Sequence, residues 1–157
     1  MNWDLATDII LYSAIAIVVV FVFLGLYQWI SRKSLKKVDS VILAMPLPLI
    51  LMVITYFLFN EVWVLATAPD GSGRPSFPSS HVMVVTTIFL MTAIALPHFV
   101  KSKPLRIILY LIMFVLFCIN AIGRIAAGAH WPADVACGIV FGVIFSSIYY
   151  LITREKK

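Results

Sequence analysis

The chain has 157 residues, of which 62% are hydrophobic and 12% charged, and its formal net charge is +5. Its mean hydropathy is +1.04. A water-soluble domain has about half its residues apolar, and here the apolar residues come in runs near the roughly 20 that cross a bilayer. These figures exclude a sizeable soluble domain, and the basic residues are placed as membranes place them rather than as a nucleic-acid surface would require.

Five membrane-spanning helices are predicted, near 9–30, 48–66, 80–99, 104–122 and 132–152. The fold class is an all-α polytopic bundle, a single membrane-embedded domain over 1–157. The acidic start MNWDLATD and the length of the first apolar run argue against a cleavable signal peptide. Pro46 and Pro48 suit the entry of the second helix, where proline is tolerated. TAPDGSGRPSFPSS is the one long polar connection, dense in turn formers. KSKP is a tight turn, and GRIAAGAHWP joins the last two helices. Cys118 and Cys137 lie in apolar runs without a C-x-x-C pair and read as free thiols. Gly138 and Gly142 fit the small-xxx-small pattern, which suits packing within the bundle or a homodimer seam.

Alternating the connections across the membrane sorts the charges. Arg32, Lys33, Lys36, Lys37, Lys101, Lys103, Arg106, Arg154, Lys156 and Lys157 fall on one side, and only Arg74 and Arg124 on the other. Basic residues near helix ends favour the cytoplasm. The expectation is therefore an N-terminus outside and a C-terminus inside, in a cytoplasmic (inner) membrane. Trp3, Trp29, Trp63 and Trp131 fall near helix ends, as an aromatic belt requires.

This sorting isolates Arg74, His81, Arg124, His130 and Asp134 on the outer side. Ionisable residues at membrane depth are functional candidates. In FPSSHV, Ser79 and Ser80 stand at a helix start, with His81 in the first turn. Free backbone N–H groups and the positive dipole end make such a start a phosphate cradle. In HWPADV, Pro132 opens another helix on the same face, with His130 before it and Asp134 in its first turn. An aspartate at this spacing can accept a hydrogen bond from one imidazole nitrogen and leave the other free to attack. Two arginines, two helix starts and two histidines supply what phosphoryl transfer asks for: positioning, charge neutralisation and a proton. His98 and Glu61 read as interfacial residues, and Asp70 as a solvated loop residue.

At these residues the chain resembles the type 2 phosphatidic acid phosphatase superfamily, which includes lipid phosphate phosphatases and vanadium haloperoxidases. That family carries K-x6-R-P, P-S-G-H and S-R-x5-H-x3-D. The third motif is matched by GRIAAGAHWPAD, with Arg124, His130 and Asp134 in register and Gly123 in place of the leading Ser. The second is matched by PSSH, with Ser80 where Gly is usual. Arg74-Pro75 supplies the R-P of the first, but Thr67 stands where its Lys belongs, and the gap from Pro75 to Pro78 is short. The resemblance covers about 48–152.

The resemblance implies that His130 attacks phosphorus to form a phosphohistidine, that Asp134 orients it, and that His81 protonates the leaving lipid oxygen. Arg124, Ser79 and the amides near Ser80 and His81 would hold the phosphate, with Arg74 a further phosphate ligand. No metal and no cofactor are implied. The expected function is hydrolysis of a lipid phosphate or diphosphate at the outer membrane–water interface. Undecaprenyl diphosphate, phosphatidylglycerol phosphate, phosphatidic acid and a lipid A phosphate are the candidate substrates. The alternatives are a lipid phosphotransferase using the same histidine and a non-catalytic lipid-binding membrane protein.

Overall fold

The computed structural model describes residues 2–154; Lys156 and Lys157 of the charge count lie outside the described residues. Five helices are long and apolar enough to cross a membrane. Helix α1 (Trp3–Arg32) leads through a 3-10 turn at Leu35–Lys37 to a short α2 (Ser40–Leu43). Helix α3 (Pro46–Phe57) follows and widens into a π turn at Leu58–Val62, and α2, α3 and this turn together form the second span. The others are α4 (Ser80–Phe99), α5 (Lys103–Ala126) and α6 (Pro132–Arg154).

Helix α1 starts six residues before its apolar run because the polar start is itself a helix signal. The Asn2 side chain accepts the Leu5 N–H at 3.2 Å, and Asp4 suits the positive end of the dipole. Thirty residues of helix span about 45 Å, beyond the roughly 30 Å of hydrocarbon. The first turns of α1, carrying Asp4, Thr7 and Asp8, therefore have length to stand at headgroup level. At the other end Gln28 and Arg32 tie down the next element. The Asp39 N–H donates to Gln28 Oε1 at 2.9 Å, and the Asp39 carboxylate accepts from Gln28 Nε2 at 2.8 Å and from Arg32 at 3.1 Å. This anchor starts the second span at Ser40, ahead of the predicted residue 48. The span ends early, at Val62, because the chain beyond it folds into a small hairpin. Ser76 N–H donates to the Ala66 carbonyl and Ala68 N–H to that of Arg74, both at 2.9 Å.

Helix α4 is the centre of the bundle: ten of its twenty residues are buried, and α1, α3, α5 and α6 all pack on it. Its closest neighbour is α6. A Cβ at Gly138 would stand 2.8 Å from the Ser79 carbonyl oxygen, and one at Gly142 would stand 2.5 Å from Thr86 Cβ. Both glycines are buried in this crossing. The small-xxx-small pattern thus serves the bundle, and the homodimer seam through Gly138 and Gly142 is corrected: neither residue presents a free face. Tyr149 closes the far end of α6, its hydroxyl donating to the Val41 carbonyl at 2.6 Å. Helix α5 buries only Asn120, Gly123 and Arg124 and exposes large apolar side chains such as Phe114 and Ile122. That is the surface of a helix facing lipid, where packing on small residues replaces the hydrophobic drive. The protein is an integral, multi-pass membrane helical bundle.

Candidate active site

The 63–79 connection and the 127–131 turn meet over the start of α4. Asp70 N–H donates to the Gly128 carbonyl at 3.1 Å, with Gly128 at φ +69°, a backbone state that favours glycine. The Trp131 indole N–H donates to the Thr67 carbonyl at 3.0 Å. The Asp70 carboxylate accepts from Ser72 N–H at 2.9 Å and from Arg74 at 2.6 Å. These partners, Ser72 first and Arg74 second, hold the carboxyl down to about 2. Asp70 is thus a loop organiser rather than merely a solvated residue. Its partner Arg74 is 64% exposed in its side chain and stays at the rim, close enough to Arg124 for the two charges to interact.

His130 is buried, and its Nδ1 lies 2.7 Å from the Ser76 carbonyl oxygen. A carbonyl only accepts, so Nδ1 carries the proton and Nε2 keeps its lone pair. Burial pushes the imidazole down to about 4, against the opposing pull of the Ser76 carbonyl. The ring is neutral at physiological pH, the form a nucleophile needs. Asp134 does not make the hydrogen bond expected from its spacing. Its Oδ2 accepts the Trp131 N–H at 2.9 Å. Trp131 precedes the first residue of α6, and a carboxylate in the third helical position reaches back to that amide, as in a capping box. Ser76, 54 residues earlier in the chain, takes the orienting place. Asp134 remains near enough for its charge to act on His130.

Ser79 is the N-cap of α4 but makes no side-chain capping bond. Its hydroxyl, the Ser76 hydroxyl and Arg124 Nε are all buried without a partner among the described residues. The Ser79 N–H donates to the Asp134 carbonyl at 3.0 Å, which docks the start of α4 on the start of α6. Ser80 and His81 are the first two residues of α4. Arg124 is 7% exposed, and its Nη1 contacts Asp4 Oδ1 at 3.2 Å and Thr7 Oγ1 at 3.3 Å. Its backbone carbonyl accepts from the His130 N–H at 3.3 Å. His81 and Arg124 are close enough for their charges to act on one another, as are His130 and both of them. Buried donors left unpaired beside an uncapped helix start are the elements of an anion site. Among the described residues no three His, Cys, Asp or Glu side chains are grouped as a metal site needs.

Helix α1 adds residues that sequence reasoning missed. Asp8 Oδ1 lies 2.9 Å from His81 Nε2, while Asp4 and Thr7 hold Arg124. The available signal was three polar residues at i, i+3 and i+4 in the first turns of an otherwise apolar helix. The same contact accounts for Gly123. A Cβ there would stand 2.6 Å from Thr7 Cγ2 and 3.1 Å from the Trp3 ring, so the Ser of the third motif would have to push the Thr7 side chain aside.

The arrangement is that of a membrane bundle presenting two histidines and a buried arginine at one helix start. A family model described as the PAP2 superfamily matches residues 60–157. The chain belongs to this superfamily. It is 29% identical over 97 residues to the lipid A 1-phosphatase of Rhizobium johnstonii, covering 60% of this chain and 35% of that protein. The match thus spans about a third of that relative's length. In fold it is similar to a crystal structure of a transmembrane PAP2-type phosphatidylglycerolphosphate phosphatase from Bacillus subtilis. The TM-score is 0.74 at 20% identity, over 99% of this chain and 78% of that one.

Proposed function

We propose that the protein hydrolyses a lipid phosphate or diphosphate through a phosphohistidine on His130, without a metal, at the outer face of a cytoplasmic membrane. The observation that carries this is His130 itself, its Nδ1–H engaged by the Ser76 carbonyl at 2.7 Å and Nε2 left to attack. Arg124 Nε and the Ser79 hydroxyl, buried without a partner among the described residues, are suited to phosphate oxygens. The α4 amides at Ser80 and His81 complete the cradle. His81 protonates the leaving oxygen, and water then hydrolyses the N–P bond. Arg74 serves from the rim, where it meets the charge of an arriving headgroup. Asp134 acts on His130 through its charge and through the helix start that it caps.

A lipid substrate is supported by an apolar groove of about 470 Å³ that begins at Ser80 and His81 and is lined by Leu11, Ile15, Met52, Val53 and Tyr56 among others. A phosphate at His81 leaves its tail this path between α1 and α3. Both named relatives act on lipid phosphates by their descriptions. The charge asymmetry supports the outward orientation. That orientation places an isoprenoid diphosphate carrier such as undecaprenyl diphosphate first among the substrates, ahead of phosphatidylglycerol phosphate, phosphatidic acid and a lipid A phosphate.

The test is phosphate release from these four lipids in detergent by wild type and His130→Ala, with and without an alcohol acceptor. The expected result is release by the wild type on at least one lipid and loss of about 10⁴-fold or more in the variant, as for removal of a nucleophile. An unchanged rate in the variant removes the assignment. Transfer to the acceptor in preference to water makes the protein a phosphotransferase.

A further inference from the structure

To deliver a proton to the leaving oxygen, the His81 ring must be held in place. His81 is 19% exposed in its side chain and borders the apolar groove between α1 and α3. The charged or titratable groups around it are Asp4 and Asp8 from α1, Tyr56 from α3, Arg124 from α5 and His130 from the turn before α6. Of these, Asp8 alone makes a hydrogen bond to the ring among the described residues. The bond joins Asp8 Oδ1 to His81 Nε2 at 2.9 Å, between residues 73 apart in sequence. A carboxylate only accepts, so Nε2 carries a proton toward Asp8. Arg124 stands near the place where the imidazolium must exist before transfer, and Asp8 supplies the opposite charge. The contact is a product of the α1 start. Thr7, one residue earlier, is fully buried under Gly123 and fixes the rotation of this turn.

We propose that Asp8 is the positioning residue of the proton donor, holding His81 through Nε2–H so that Nδ1–H is the proton given to the leaving lipid oxygen. This rests on the reading of His130 as nucleophile. In the step, His130 Nε2 forms a bond to phosphorus while the bond from phosphorus to the lipid oxygen breaks. The electron pair stays on that oxygen, the Nδ1 proton of His81 passes to it, and His81 becomes neutral. In the second step a water oxygen bonds to phosphorus as the His130 Nε2–P bond breaks, the electron pair returns to Nε2, and a proton of that water passes to His81 Nδ1. The carboxylate of Asp8 stays ionised throughout and stabilises the imidazolium at both ends of the cycle.

The experiment compares two substrates with the same long tail, an alkyl phosphate and a nitroaryl phosphate whose leaving oxygen needs no proton. General acid catalysis contributes about 10²–10⁴-fold. Asp8→Asn is therefore expected to lower kcat on the alkyl phosphate by about 100-fold and on the aryl phosphate by no more than about a tenth of that factor. The alkaline limb of kcat/KM for the alkyl substrate moves to lower pH, and in a His81→Asn background the Asp8 change costs little further. Asp8→Glu recovers part of the alkyl rate, and if Asp8→Asn loses its thermal transition in detergent, Asp8→Glu carries the same comparison. Equal losses on both substrates overturn the proposal. So does a lower KM with undiminished kcat, which would mean that the carboxylate only occupies the place of the substrate's oxygen. His130→Ala is run alongside. If it keeps its rate, the nucleophile assignment has failed. If it is inactive while Asp8→Asn shows no leaving-group dependence, only the role of Asp8 has failed.

Discussion

Adding one methyl group to Gly138 tests whether the α4–α6 crossing sets the geometry of the site. The Cβ of Gly138→Ala would stand 2.8 Å from the Ser79 carbonyl oxygen and 3.3 Å from Met83 N. Both are backbone atoms, so no rotamer change relieves the contact. An ordinary carbon–oxygen approach is about 3.3 Å or more, so the two helices must part by roughly half an ångström. That carbonyl accepts the first hydrogen bond of α4, from Met83 N–H at 2.9 Å, and the Ser79 N–H holds the Asp134 carbonyl at 3.0 Å. The displacement therefore falls on the proposed phosphate cradle itself. Misplacement by about 1 Å costs about 10²-fold in rate, so Gly138→Ala is expected to lose about 10-fold in kcat, with destabilisation of about 1–3 kcal/mol from overpacking. Gly142→Ala is the control, one turn farther from the site. Its Cβ would stand 2.5 Å from Thr86 Cβ and 2.7 Å from Thr86 Cγ2, a harder clash that displaces no residue of the cradle. It should lower the thermal midpoint more and kcat less. Phosphate release and thermal unfolding in the same detergent measure both quantities. A Gly138→Ala variant at the full wild-type rate, or two variants that lose rate and stability in the same proportion, would refute the reasoning.

The His130 imidazole, pushed down to about 4 from an ordinary value of about 6.5, predicts that one histidine stays neutral at pH 5. A ¹⁵N-histidine titration of the protein in nanodiscs reads this directly, with His130→Asn assigning the signal; a midpoint near 6.5 contradicts it. The folded protein then binds fewer protons than the unfolded chain between those two values. The stability His130 contributes is complete above about pH 6.5 and is lost as pH falls toward 4, a swing of order 3 kcal/mol in thermal or denaturant unfolding. The two arginines should separate sharply. Arg124→Ala removes a buried donor from the cradle and should cost about 10²–10³-fold in kcat. Arg74→Ala breaks only an exposed pair with Asp70, of the kind that solvent screens, and kcat/KM for the same lipid should move by no more than several-fold.

How much of this was legible in the chain depends on how far apart the partners lie. The spans were readable because a bilayer demands long apolar runs. The motif residues Arg124, His130 and Asp134 were readable because one helix end, one turn and one helix start hold them within eleven positions. The spacing of His130 and Asp134 nonetheless suggested the wrong partner. An aspartate three residues into a helix has a nearer amide to satisfy at Trp131, and the imidazole found the carbonyl of Ser76 across a hairpin that no local pattern announces. Gly138 and Gly142 carried a true packing signal whose partner was left open, since a small-residue stripe does not name the helix that lies on it.

Helix α1 was hidden for a further reason. Its long run of apolar residues reads as one more span, and the start that carries Asp4 and Asp8 reads only as an acidic N-terminus on the outer side. Only the crossings of α1 with α4 and α5 turn them into partners of the site, Asp8 of His81 and Asp4 of Arg124. Where α1 presses on Gly123, the hydroxyl expected at position 123 is absent, and Thr7 brings its own hydroxyl to Arg124 at 3.3 Å. One helix thus displaces a motif side chain and supplies a hydroxyl in its place. The departure at 123 and the arrival of Asp8 at His81 follow from the same close packing. A substitution that lifts α1 away, such as Thr7 to a bulkier residue, should therefore disturb Arg124 and His81 together.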